Sequence, residues 1–163
     1  MREVAFVFLG MLVGLLPPWF IRKRRLKAHW CALRAEIIQC NEKATTIFTS
    51  KPLVMAPLYR LPLMTYQASF PVLLGDGAVS ESEVRILGRF FSQAQDINRG
   101  LDNAAEMNKS DKQAKLEQEF NRNCLKAKEL VEAQGQEQSL YAQALAIVDR
   151  KTNQSWWRYA SHG

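Results

Sequence analysis

An uncharged apolar run near the N-terminus restricts the folds open to this chain more than any other feature of its sequence. Residues 4–21 read VAFVFLGMLVGLLPPWFI, eighteen residues without a charged or amide side chain. As a helix rising about 1.5 Å per residue, this run spans about 27 Å, close to the thickness of a bilayer's hydrocarbon layer. Trp19 lies at its C-terminal edge, where an indole ring favours the headgroup region. The run therefore predicts a transmembrane anchor over residues 1–21.

A cluster of cations follows the apolar run directly and indicates how the anchor is oriented. The other flank carries only Arg2, Glu3 and the terminal amine. The positive-inside rule therefore places the C-terminal side in the cytoplasm, at a plasma membrane or bacterial inner membrane. We call residues 22–27 the basic block, and we expect lipid contacts from Trp19 and from its five cations, Arg22, Lys23, Arg24, Arg25 and Lys27.

The net charge of +6 and the pI near 9.4 would also suit a nucleic-acid-binding protein. The excess is local, however: residues 1–62 hold ten Lys or Arg and three Asp or Glu, whereas residues 63–163 hold twelve and thirteen. A duplex-binding protein usually spreads cations over one face and adds base-reading side chains. We therefore expect a lipid bilayer, and no nucleic acid, as a partner.

A cleavable signal peptide is the main alternative for the apolar run, whose core also has signal-like length. No small-residue cleavage site follows that core, because Pro17, Pro18, Trp19 and Phe20 occupy the region. A retained anchor is the better interpretation. Pro17 and Pro18 each remove a backbone donor, which predicts a kink or an end of the helix there.

Gly10 and Gly14 form a G-x-x-x-G pattern within the apolar run. This spacing lets two helix backbones approach closely, so the pair is a candidate for helix–helix packing in the membrane. One such pair also arises easily by chance in an apolar helix.

Residues 28–150 predict a helical bundle. The first helix carries apolar residues at alternating spacings of four and three, which indicates one buried stripe. The stripe suits either a bundle core or an intermolecular coiled coil, and it consists of Leu26, Trp30, Leu33, Ile37, Cys40, Ala44 and Ile47.

A proline-rich apolar connection over residues 51–62 separates this helix from the next. We expect a short helix from Pro62 to about Leu74, closed by a turn at Gly75-Asp76-Gly77. The apolar side chains from Leu53 to Met64 either cover the end of the bundle or contact lipid or a partner.

Two further helices complete the predicted bundle. Ser80 and Glu83 form a capping box that starts one of them. The last is expected from Asp111 to about Arg150, broken or bent at Gly135. No stretch alternates at period two, so the fold class is all-α: one transmembrane helix followed by a cytosolic bundle of about three long helices and one short one.

No motif for catalysis, for a cofactor or for a metal occurs in the sequence. The two histidines are far apart, the three cysteines lack zinc spacing, and no phosphate-binding glycine loop is present. Asp96, Asp102 and Glu106 lie near Arg99 on a predicted helix, which indicates a solvated face with local ion pairs. We therefore expect no catalytic, metal-binding or cofactor-binding residue.

An aromatic and basic tail, residues 151–163, ends the chain. It carries Trp156, Trp157, Arg158 and Tyr159, candidates for docking on a partner. These side chains could equally cover the bundle or lie in the headgroup region.

These features predict a non-enzymatic accessory or scaffolding subunit, anchored by a single membrane span and acting through contacts with a protein partner or a second copy. One alternative is a membrane-bound sensor or regulator that binds a small ligand within the bundle. Another is a lipid-associated enzyme without a recognisable motif.

Overall fold

The protein folds into helices throughout the part of the chain that its structure describes. This structure is a computed structural model that describes the backbone of residues 2–49, 60–109, 113–133, 135 and 138–153, with side chains described for all of these except 2–17, 108–109 and 113–114. Within those ranges there is no strand, which confirms the all-α prediction. The helices are α1 (Arg2–Thr49), α2 (Met64–Gly75), α3 (Glu81–Lys109), α4 (Gln113–Val131) and α5 (Leu140–Asn153).

The longest helix, α1, joins the predicted anchor to the bundle without a break. Its 48 residues correspond to about 72 Å. The helix does not end at Pro17-Pro18, because prolines remove individual amide donors while the turns on either side keep their hydrogen bonds. The apolar run, the basic block and the first helix of the bundle are therefore one continuous element.

Among residues with described side chains, no helix is both long and apolar enough to cross a membrane. The predicted span, residues 4–21, lies outside that part of the chain except for its last four residues. The transmembrane assignment therefore stays a prediction.

The stripe predicted along α1 forms one side of the bundle core. Six of its seven residues are buried, and Leu26 packs against the core from its edge. Both α4 and α5 contact α1. α3 in turn packs against α4 and α5. The stripe therefore packs against helices of the same chain, as expected of a bundle core.

Long-range contacts give the direction of each helix. α2 runs antiparallel to α1, because its first turn contacts Glu36 and its end contacts Arg22. α5 also runs antiparallel to α1: Asp149 pairs with Arg34, and Lys151, two residues later on α5, lies over the ring of Trp30, four residues earlier on α1. The last turn of α5 therefore lies towards the basic block.

Two helices, α4 and α5, replace the single long helix predicted from Asp111 to Arg150. Gly135 lies between them with φ near +64°, a conformation that favours glycine and ends a helix. Ser139, directly before α5, caps this helix: its hydroxyl accepts a hydrogen bond from the Ala142 amide at 3.1 Å. The predicted break at Gly135 is confirmed, whereas Asp111, the predicted start, lies outside the described residues.

The turn after α2 positions an acidic residue beside the basic block. Gly77 has φ near +65°, its amide bonds to the Leu74 carbonyl, and the Ala78 amide bonds to the Leu73 carbonyl. These two bonds define a Schellman motif, which closes the helix at Asp76. The predicted turn is confirmed, and the short helix begins at Met64 rather than at Pro62.

Candidate functional site

A belt of exposed apolar side chains lies on α1 just before the basic block. Trp19, Phe20 and Ile21 are 43%, 42% and 65% exposed. The ammonium group of Lys23 lies 3.8 Å from the centroid of the Trp19 ring, a cation–π contact. One helical turn therefore presents both aromatic surface and positive charge, the combination found at membrane interfaces.

Two cations of the basic block are tied to the turn after α2. The guanidinium groups of Arg22 and Arg25 lie 3.1 and 3.0 Å from the two carboxylate oxygens of Asp76. Asp76 lies at the C-terminal end of a helix, where the dipole disfavours a negative charge, so the two arginines offset that cost. Arg24 and Lys27 are exposed as well, and no ion pair to Asp76 ties them to this turn.

A buried carboxylate, Glu83, joins the start of α3 to the end of α5. It accepts hydrogen bonds from the Ser80 amide at 2.8 Å and from Arg150 at 2.6 Å, and it pairs with Lys151 at 3.0 Å. The Glu83 amide in turn bonds to the Ser80 hydroxyl, which confirms the predicted capping box. Burial opposes ionisation, but these partners outweigh it and lower the pKa of Glu83.

Lys151 connects this cluster to α1. Its ammonium donates to the Ala78 carbonyl at 2.9 Å and lies 5.5 Å from the centroid of the Trp30 ring. Trp30 itself is fully buried. The last turn of α5 is therefore held beside Trp30, a residue of α1 that lies three positions after the basic block.

A second buried carboxylate, Glu36, caps α2 from the neighbouring helix. Its two oxygens accept hydrogen bonds from the amides of Thr65 and Tyr66, at 2.7 and 2.6 Å. The N-cap residue Leu63 offers no side-chain acceptor, so Glu36 supplies the negative charge that the helix start favours. Both buried carboxylates thus have structural partners.

The end of the proline-rich connection is fixed by α3. The Asn98 amide group accepts from the backbone N–H of Leu61 at 2.7 Å and donates to its carbonyl at 2.8 Å. Arg60 pairs with Asp102 at 2.7 Å. Leu61 is buried and Leu63 packs against the core, whereas Met64 is 83% exposed. This end of the connection covers the bundle, and residues 51–59 lie outside the described part of the chain.

A shallow groove of about 390 Å³ lies at the end of the bundle remote from the basic block. Leu125 on α4 is 63% exposed there, beside Phe48 from the last turn of α1. Lys128 and Glu132 supply opposite charges at the rim. An exposed leucine next to a half-buried aromatic ring, with polar groups around it, has the composition of a protein-contact surface.

The thiols of two cysteines serve the fold. Cys40 donates to the Pro62 carbonyl at 3.3 Å, and Cys124 donates to the Ile47 carbonyl at 3.4 Å. Burial raises the pKa of Cys40 to about 12 and also raises the pKa of Cys124, which suppresses the reactive thiolate. Among described residues, no group of three or more His, Cys, Asp and Glu side chains could hold a metal ion.

The remaining candidate residues fall into three groups. Asp96 pairs with Arg99 on the exposed face of α3, but Asp102 pairs with Arg60 of the connection before α2 rather than locally. Gly10 and Gly14 belong to α1, in the stretch whose side-chain surroundings are not described. The tail residues lie outside the described part altogether: Trp156, Trp157, Arg158 and Tyr159.

Sequence reasoning did not identify the roles of Glu36, Asp76 and Asn98. The sequence does indicate a structural role for Glu36, because it lies within the apolar stripe between Leu33 and Ile37, where a charge is retained only if it is hydrogen-bonded.

No protein family, curated protein or solved structure matches this chain.

Proposed function

We propose that the protein is a membrane-anchored helical subunit that presents its bundle to a protein partner at the cytoplasmic face of a membrane. The continuity of α1 is the observation that carries this proposal. One helix begins at Arg2, continues through the apolar run, the exposed Trp19 and the basic block, and ends in the bundle. A continuous helix holds the bundle at a fixed distance from the bilayer, as an accessory or scaffolding subunit requires.

The orientation of this anchor follows from the basic block. Its five cations lie on the bundle side of the apolar run, which favours a cytoplasmic bundle. The exposed Arg24 and Lys27 would each gain about 1 kcal/mol near anionic headgroups, while Asp76 partly neutralises Arg22 and Arg25. Trp19 would lie at the headgroup level.

The anchor is tested by extraction of membranes with alkaline carbonate. We expect the full chain to stay in the membrane pellet, and the variant Leu12→Arg/Leu15→Arg to move to the supernatant, because each arginine disfavours insertion by about 3 kcal/mol. The matched variant Leu12→Ala/Leu15→Ala keeps the run uncharged and should stay in the pellet. Release of the unaltered chain by carbonate would refute the anchor.

The partner surface proposed here is the groove around Leu125 and Phe48. Its distance from the basic block leaves it accessible when the chain is attached to a membrane. The two buried carboxylates support a role in binding rather than in acid–base chemistry, because Glu36 is committed to the cap of α2 and Glu83 to the ion pairs with α5.

Affinity purification in mild detergent tests the partner surface. We expect a stoichiometric partner, either another protein or a second copy, which Leu125→Glu removes while the helical circular dichroism signal is kept. Met64 is an apolar residue on another helix that is even more exposed, at 83% against 63% for Leu125, so Met64→Glu is the matched control and should retain the partner. A clean monomer with no partner, or equal loss in both variants, would contradict the proposal.

A further inference from the structure

The turn after α2, residues 74–77, presents apolar surface at the end of the bundle nearest the basic block. We propose that this turn is a second lipid contact, in which Leu74 enters the headgroup region of the membrane that holds the anchor. The inference rests on the proposed membrane anchor. It goes beyond the anchor because it seats the bundle itself on the bilayer.

The position of the turn is the first reason. Arg22 donates a hydrogen bond to the Asp76 carbonyl at 3.2 Å, and Arg22 and Arg25 both pair with the Asp76 carboxylate. These arginines follow Trp19 by three and six residues, which is about 4.5 to 9 Å along the axis of α1. The headgroup layer on each side of a bilayer is about 5–8 Å thick. With Trp19 at the headgroup level, the turn therefore lies at the outer edge of the same layer.

The exposed surface of the turn is the second reason. Leu74 is 44% exposed, and the other exposed residues of the turn are Gly75 and Gly77, which carry no polar side chain. Six large apolar side chains are exposed among the described residues, and four of them lie at this end of the bundle: Trp19, Phe20, Ile21 and Leu74. A cluster of exposed apolar side chains next to a proposed membrane anchor is typical of a surface that contacts lipid.

Charge is the third reason. The three carboxylates within residues 74–83 are all paired with cations: Asp76 with Arg22 and Arg25, Glu81 with Arg85, and Glu83 with Arg150 and Lys151. The exposed Arg24 and Lys27 add positive charge at the same end. An anionic headgroup layer therefore attracts this surface. Because the anchor already holds the surface next to headgroups, we assign it to lipid rather than to a protein partner.

Site-directed labelling of the full chain tests the inference. Cys31 is exposed, whereas Cys40 is buried and Cys124 is half-buried. Burial raises the pKa of both Cys40 and Cys124, which slows their reaction with a maleimide. The variant Cys31→Ser therefore provides a background in which one newly introduced cysteine is labelled selectively.

A nitrobenzoxadiazole label is attached in this background to Ile21→Cys, Met64→Cys or Leu74→Cys, each at an exposed apolar position. Met64 and Leu74 lie on the same helix, ten residues or about 15 Å apart, so Met64 is the matched control remote from the membrane. Each protein is reconstituted in vesicles of phosphatidylcholine and phosphatidylglycerol that carry a nitroxide near the headgroup end of the acyl chain. Circular dichroism checks that each variant keeps its helices.

We expect the nitroxide to quench the labels at Ile21 and Leu74 and to leave the emission of the label at Met64 nearly unchanged. Emission at Leu74 should also be shifted to shorter wavelength than at Met64. If the label at Ile21 is quenched while Leu74 behaves like Met64, the anchor stands and the second contact is refuted. An unquenched label at Ile21 would contradict the anchor and the second contact together.

The contribution of charge is tested in the chain labelled at Leu74. Arg24→Gln/Lys27→Gln should reduce the quenching of this label, while the label at the anchor edge stays quenched. Lys115 and Arg122 are exposed cations on α4, so Lys115→Gln/Arg122→Gln is the matched control and should leave the quenching unchanged. Equal quenching in all three proteins would overturn the role assigned to Arg24 and Lys27.

Discussion

The carboxylate of Glu83 on α3 lies 2.6 Å from the guanidinium of Arg150 on α5. Residues 67 positions apart are thereby held together at the end of the bundle nearest the basic block. The same carboxylate closes the capping box with Ser80 and pairs with Lys151. Glu83 thus fixes both where α3 begins and where α5 ends.

Replacing this carboxylate should destabilise the bundle. Glu83→Gln keeps an acceptor for the Ser80 amide but leaves Lys151, whose side chain is 14% exposed, without its counter-charge. We expect a loss of about 3 kcal/mol in the free energy of unfolding, measured by urea titration in mild detergent. The control Glu81→Gln removes only an exposed pair with Arg85 and should change stability by less than about 0.5 kcal/mol. Equal effects of the two variants would contradict the assigned role.

Stability should also depend on pH through Glu83. Its pKa in the folded state is lowered below the ordinary value of a glutamate, so the stabilisation is fully present above that ordinary value and is lost as the pH falls through the lower, folded pKa. Unfolding titrations from pH 7 downwards should show a steeper loss of stability in the wild type than in Glu83→Gln. Parallel curves for the two proteins would show that Glu83 does not contribute.

Removing the charge of Glu36 should loosen the start of α2. In Glu36→Gln one side-chain oxygen remains for the amides of Thr65 and Tyr66, so one buried donor loses its acceptor. We expect a loss of about 2 kcal/mol and faster hydrogen exchange at these two amides. Glu42→Gln, an exposed change on the same helix, should alter stability by no more than about 0.5 kcal/mol. Unchanged exchange at Thr65 and Tyr66 would refute the cap.

The two glycines inside α3 should respond in opposite ways to alanine. A Cβ at Gly100 would clash with the side-chain amide of the buried Asn123, whereas a Cβ at Gly88 would meet nothing within 4 Å. Gly100→Ala should therefore destabilise the protein by about 1–3 kcal/mol, and Gly88→Ala should stabilise it by up to about 1 kcal/mol.

A double-mutant cycle identifies the cause of this difference. If the clash with Asn123 is responsible, Gly100→Ala should cost less in an Asn123→Ala background than in the wild type. Additive effects of the two substitutions would mean that another contact requires glycine at position 100.

Local features of this fold can be predicted from the sequence because they depend on neighbouring residues. Periodicity identifies the buried stripe of α1, the Ser80–Glu83 pair marks the start of α3, and Gly135 marks the break before α5. Each of these signals lies within a few turns of chain.

Contacts between distant parts of the chain could not be predicted in the same way. The pairs between Glu36 and Thr65, between Asn98 and Leu61, and between Asp76 and Arg22 join residues 29 to 54 positions apart. Periodicity gives the buried face of each helix but not the helix that packs against it.

The orientation of the anchored bundle is measured most directly by reporters fused after Gly163 in a bacterial host. The account predicts that a fluorescent protein at this position folds and fluoresces in the membrane fraction, and that alkaline phosphatase at the same position is inactive because the bundle stays in the cytoplasm. Active phosphatase together with a dark fluorescent fusion would place the bundle on the opposite side of the membrane and contradict the central claim.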